Sequence, residues 1–123
     1  MTSVATTSTG LIPWLLQRVT GLLLVLWVAT HFIFWHFVKG GEGPLNYAVV
    51  SAQALSRGLP GYLWEMALAG LCLFHGLSGV RNIVYDYVVD KPKVAWLTPL
   101  LWAVGVCAFL LIGYHLHLFR AGH

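Results

Sequence analysis

Three long apolar stretches, separated by short polar or glycine- and proline-rich segments, run through the 123 residues of this chain. No Asp, Glu, Lys or Arg interrupts residues 19–38, 66–80 or 94–119. A helix needs about 20 apolar residues to cross a hydrocarbon core of about 30 Å. The first and third runs meet that length directly. The second reaches it when extended from about Gly61 to Tyr85, with Glu65 and Arg81 near its two ends. Backbone groups in lipid have no water to bond, so isolated spans of this kind must be helices. The pattern predicts an all-α integral membrane chain with three transmembrane helices.

The breaks between runs set the expected boundaries. Helix I is expected over about 11–39, opening at Leu11–Pro13, where proline suits a first turn. Gly40-Gly41-Glu42-Gly43-Pro44 then ends it. Residues 45–59 mix apolar positions with Asn46, Ser51, Gln53, Ser56 and Arg57, a pattern that predicts a short amphipathic helix at the interface. Pro60-Gly61 punctuates the start of helix II, expected over about 61–87. Asp90-Lys91-Pro92-Lys93 reads as a tight polar turn, and helix III follows over about 94–119. This makes a single transmembrane domain over 1–123, with no internal repeat and no soluble domain.

Composition agrees and adds little about chemistry. The chain is 59% hydrophobic and 9% charged, with a mean hydropathy of +0.77. Seven Lys and Arg with four Asp and Glu are too few to solvate a globule of this size. Residues 1–10 are rich in Ser and Thr and carry no Lys or Arg, so they read as a polar tail rather than a signal peptide. Cys72 and Cys107 both fall within spans, where small packed hydrophobes are the expected role. Arg18, Arg81, Lys91 and Lys93 on one face outnumber Lys39, Arg57 and Arg120 on the other, which places the N-terminus on the cytoplasmic side. Trp14, Trp35, Trp64 and Trp96 sit near span ends, as aromatic belts do, while Trp27 and Trp102 lie deeper, where packing is expected.

The chemically informative stretch is His75-Gly-Leu-Ser-Gly-Val-Arg-Asn-Ile-Val-Tyr-Asp86-Tyr87. At about 100° per residue, eleven steps bring Asp86 back onto the face of His75, roughly 16 Å further along the helix. The imidazole is thereby placed inside the membrane and the carboxylate at its inner edge. Gly79, one turn from His75, removes bulk beside the ring, so that a flat ligand such as a porphyrin can approach. An intramembrane ionisable group is costly and points to function. Imidazole is a standard axial ligand of haem iron, but a histidine bonded only to a neighbouring helix is equally familiar in membrane bundles. Arg18-Val-Thr20-Gly21 at the start of helix I is the second constellation. Its guanidinium can pair with a haem propionate, donate to a quinone carbonyl or anchor to lipid phosphate.

Length, three spans, Arg-x-Thr-Gly in helix I and His followed eleven residues later by Asp-Tyr together resemble the membrane-anchor (cytochrome b-type) subunits of succinate:quinone oxidoreductase, respiratory complex II. Asp86-Tyr87 is similar to the smaller of the two anchor types. Gly79-x-Arg81 and Thr20-Gly21 are similar to the cytochrome b-type partner. That partner often carries serine four residues before the helix I arginine, where this chain has Trp14.

The resemblance implies a bundle formed with a second anchor chain, alongside iron–sulfur and flavoprotein subunits, in the inner (cytoplasmic) membrane. It also implies haem b shared with the partner anchor, with His75 as axial ligand and Arg18 near the haem propionates or the quinone. Tyr87, Asp86, Arg81 and Thr20 would belong to the quinone site. His31, nearer the outer surface on helix I, becomes a candidate ligand for a second haem. His36, His115, His117 and His123 read as interfacial.

Electrons would pass from succinate to quinone through subunits that this chain cannot replace, since it has no dinucleotide fingerprint and no cysteine cluster. No nucleic-acid partner is expected, and membrane lipid is. Two other readings use the same spans: a purely structural anchor without cofactor, and a small oligomeric transporter. The absence of charge in helix III before Arg120 argues against transport.

Overall fold

The structure, a computed structural model, describes residues 10–38, 46–88 and 91–121. Helix α1 spans Leu11–Ile33 and continues as a π-helical turn over Phe34–Val38. Helix α2 covers Tyr47–Ser56, α3 Gly58–Tyr87 and α4 Leu97–Ala121, the last preceded by a 3-10 turn at Lys91–Val94. Three segments are long and apolar enough to cross a membrane: Leu11–Phe37, Gly58–Tyr87 and Pro92–Ala121, of 27, 30 and 30 residues. No strand occurs among the described residues. The expected glycine-rich break at 40–44, the tail over 1–9, Lys39, Asp90 and His123 lie outside the described residues.

α3 is the central element, with α1 on one side and α4 on another, while α2 lies against α3 and α4. The α1 face that meets α3 follows the helical period. Gln17, Thr20, Gly21, Leu24, Trp27, His31 and Trp35 are shielded, while the residues between them are mostly exposed. Thr20–His75, Trp27–Trp64 and His31–Glu65 contacts run in opposite directions along the two helices, so α1 and α3 are antiparallel.

The α3–α4 contact is antiparallel too, and it is built on small residues. A Cβ on Gly105 would stand 2.8 Å from Leu77 Cδ1, and one on Gly70 3.2 Å from Phe109. Tyr62 donates to the carbonyl of buried Gly113 at 3.3 Å. Lipid tails are as apolar as leucine, so close backbone approach rather than water exclusion holds such helices together.

Several boundaries differ from expectation. Helix α3 begins at Gly58 rather than Gly61. Arg57 caps both α2 and α3, and Gly58 takes the left-handed φ of +55° that redirects the chain in one residue. Pro60 then falls in the first turn, which lacks intrahelical acceptors to lose. Asn46 caps α2 by accepting from the Val49 amide at 3.0 Å. Trp102 is exposed and Trp35 is the buried tryptophan: Trp102 meets Phe74 of α3 at 6.4 Å between ring centroids but keeps 61% of its surface exposed. Cys72 and Cys107 are likewise exposed, so neither packs within the chain.

Candidate functional site

His75 sits on α3 where Gln17, Thr20 and Gly21 of α1 cross it. Its Nδ1 lies 2.9 Å from Thr20 Oγ1 and its Nε2 lies 3.5 Å from the Gln17 amide nitrogen. That amide also donates to the His75 carbonyl at 3.1 Å, and Ser78 Oγ is 2.6 Å from Gln17 Oε1. Gly21 makes the approach feasible, since a Cβ there would stand 3.0 Å from His75 Cε1. The space beside Gly79 is not open as the sequence implied: a Cβ at that position would meet Gln17 Nε2 at 3.1 Å. The Gln17 side chain of α1 fills the notch.

The residue that sequence reasoning passed over is Gln17. It looked like a polar residue preceding an arginine. Its signal was the spacing 17–20–21–24, which puts an amide, a hydroxyl and a glycine on one stripe of an otherwise apolar helix.

The sequence matches, over residues 2–113, the family described as succinate dehydrogenase/fumarate reductase transmembrane subunit. The chain belongs to that family. It is similar to the succinate dehydrogenase hydrophobic membrane anchor subunit of Archaeoglobus fulgidus, with 30% identity covering 85% of this chain and 82% of the relative. It is also similar to the succinate dehydrogenase 2 membrane subunit SdhC of Mycobacterium tuberculosis, with 24% identity over 84% and 71% of the two chains. No solved structure matches it. The protein is thus a membrane anchor of the succinate dehydrogenase/fumarate reductase family.

Other expected site residues of this anchor are dispersed. Arg18 is exposed on α1, with its guanidinium stacked 4.4 Å from the Trp14 ring centroid, and does not join the His75 cluster. Thr20 is buried against His75. Arg81 lies over Tyr85 and donates through Nε to Thr98 Oγ1 of α4 at 3.0 Å. It lines a groove of about 520 Å³ between α3 and α4, with Ser78, Asn82 and Thr98 also in its walls and apolar side chains such as Leu73 and Phe109 along the rest. Asp86 and Tyr87 stand exposed at the end of α3, Tyr87 at 84%.

At the opposite end of the bundle, His31 Nδ1 is 3.7 Å from Glu65 Oε2, and Arg57 reaches Glu65 Oε1 at 3.4 Å. The Arg57 guanidinium also lies 4.4 Å from the Trp35 ring centroid. His31, Arg57 and Glu65 line a cavity of about 440 Å³ with Tyr62 and Arg120. His36, His115 and His117 are exposed. Among the described residues no three His, Cys, Asp or Glu side chains gather as a metal cluster.

Proposed function

We propose that this anchor contributes His75 as one axial ligand of a haem b shared with a second anchor chain, and part of a site that reduces quinone with electrons from succinate. The observation that carries the reading is an imidazole well inside the span, oriented by a buried hydroxyl and backed by a glycine. A ligating histidine generally has its second ring nitrogen bonded to a protein acceptor, and Thr20 stands at that position. A single histidine on one chain supports a shared iron, whose other ligand comes from the partner anchor. When bound, the haem supplies a one-electron carrier. The competing reading, an imidazole that only joins α1 to α3, draws on the same contacts and predicts no visible absorption.

The quinone site is proposed at the end of the bundle that holds Arg18, Arg81, Asp86 and Tyr87, with iron–sulfur and flavoprotein subunits docking there from the cytoplasmic side of the inner membrane. Reduction to quinol takes up two electrons and two protons. Exposed Asp86 and Tyr87 stand where protons arrive from water, and Tyr87 can donate to a quinone oxygen. The groove beside Arg81 is polar at one end and apolar along its length, the polarity of a quinone head and tail. Thr20 is assigned here to His75 rather than to quinone, because its hydroxyl is buried between α1 and α3. His31, with Nδ1 turned to Glu65, is assigned to the contact that ties α1 to α3.

A dithionite-reduced minus oxidised spectrum of the purified complex tests the haem reading. The expected result is a low-spin b-type band that is lost or shifted in His75→Ala. A band untouched by the substitution would move ligation to another residue, and no band in the wild type would leave a structural or quinone-only anchor.

A further inference from the structure

Hydrogen-bond accounting around His75 determines which ring nitrogen carries the proton. The main-chain carbonyl of His75 can only accept, so the Gln17 atom 3.1 Å from it is the amide nitrogen. The amide oxygen is thereby turned to Ser78 Oγ, whose proton it shares with the Phe74 carbonyl, each at 2.6 Å. The same Gln17 nitrogen faces His75 Nε2 at 3.5 Å. An amide NH2 offers donors alone, so the assignment that suits this contact leaves the lone pair on Nε2 and the ring proton on Nδ1. Nδ1–H then donates to Thr20 Oγ1 at 2.9 Å, while the Thr20 hydroxyl gives its own proton to the Leu16 carbonyl at 2.8 Å. Donor meets acceptor along the contacts from Leu16 to Ser78, with Thr20 and Ser78 each sharing a single hydroxyl proton among neighbouring acceptors.

We propose that Thr20 is the positioning residue for His75: it holds the imidazole as the Nδ1–H tautomer, leaving Nε2 to bind iron, and the Gln17 amide occupies that lone pair until iron takes it. The inference rests on the reading of His75 as a haem ligand and adds which nitrogen binds, what orients it and what it must release. Thr20 is only 7% exposed, so no bulk water stands ready to replace the acceptor if the hydroxyl is removed. An acceptor on Nδ1–H makes Nε2 more electron-rich, which strengthens its bond to the metal and favours ferric over ferrous iron. Losing it therefore weakens haem retention and raises the midpoint potential.

The test compares wild type, Thr20→Val, Thr20→Ser and His75→Ala in the assembled complex. Haem midpoint potential is read by potentiometric titration and haem affinity by transfer to an external acceptor protein. Thr20→Val, which keeps the branched shape without the hydroxyl, is expected to raise the potential and lower haem affinity by about 10- to 100-fold. Thr20→Ser is expected to stay at wild-type values. Should the valine variant not assemble, Thr20→Ala removes the same acceptor with less bulk and carries the measurement. Loss of the haem band in His75→Ala alongside unchanged potential and retention in the Thr20 variants overturns the positioning role alone. A wild-type band in His75→Ala removes the ligand reading, and the positioning role with it.

Discussion

Where α1 crosses α3, one glycine sets how near the helices come. A Cβ at Gly21 would sit 3.0 Å from His75 Cε1 and 3.7 Å from both ring nitrogens, with backbone on one side and a hydrogen-bonded ring on the other. Gly21→Val is expected to force the ring away from Thr20 and to destabilise the bundle by about 1–3 kcal/mol, as overpacking does. Gly76, one residue beyond His75, has nothing within 4 Å of a built Cβ, so Gly76→Ala meets no clash and should stabilise the helix by about 0.5–1 kcal/mol. Unfolding of the two variants side by side in detergent checks the contrast.

At this scale His75 was legible, because an ionisable group in a long apolar run stands out. Its surroundings were not. Gln17 lies 58 residues from His75 in sequence, and nothing local distinguishes an amide that bridges two helices from one that faces water. The contacts of Glu65 with His31 and Arg57 were hidden for the same reason: His31 stood out as a candidate ligand, but nothing local paired it with a carboxylate on another helix.

Among the elements, α3 carries the architecture and α4 attaches to it through glycines. Gly105→Leu would drive a branched side chain into Leu77, whose Cδ1 already stands 2.8 Å from the position of a Cβ. The expected outcome is a loss of about 1–3 kcal/mol and separation of α4 from α3, read by thermal unfolding. Existence and order of the helices were plain from the apolar runs, since a span needs only length and the absence of charge. The joint between α2 and α3 was not. Pro60-Gly61 carried the stronger break signal, yet the turn is made at Gly58, where φ is positive, and Gly61 serves to admit the Arg57 side chain, whose Cβ would be 2.5 Å from an added methyl. Trp102 and the cysteines show the converse problem. Depth along a span says where a residue lies in the membrane, not whether it points toward a neighbouring helix or toward lipid.

For the molecule as a whole, the two ends of the bundle have different chemistry. One holds Arg18, Arg81, Asp86 and Tyr87, and the other the Glu65 cluster. On the proposed proton route, Asp86→Asn in the assembled complex is expected to slow quinone reduction by about tenfold or more, with succinate oxidation by an artificial acceptor unchanged. Equal loss of both activities would remove Asp86 from the route.

The three spans enclose almost nothing of their own: Thr20, Trp35 and Gly113 are the buried residues among those described. In water a chain with so much bare leucine and valine would clump within moments of synthesis. In a bilayer the same surface is already in its preferred solvent, so incompleteness sets no clock. Such a subunit can be made early, drift laterally and wait, and its encounter with other chains is a search in two dimensions rather than a race against precipitation.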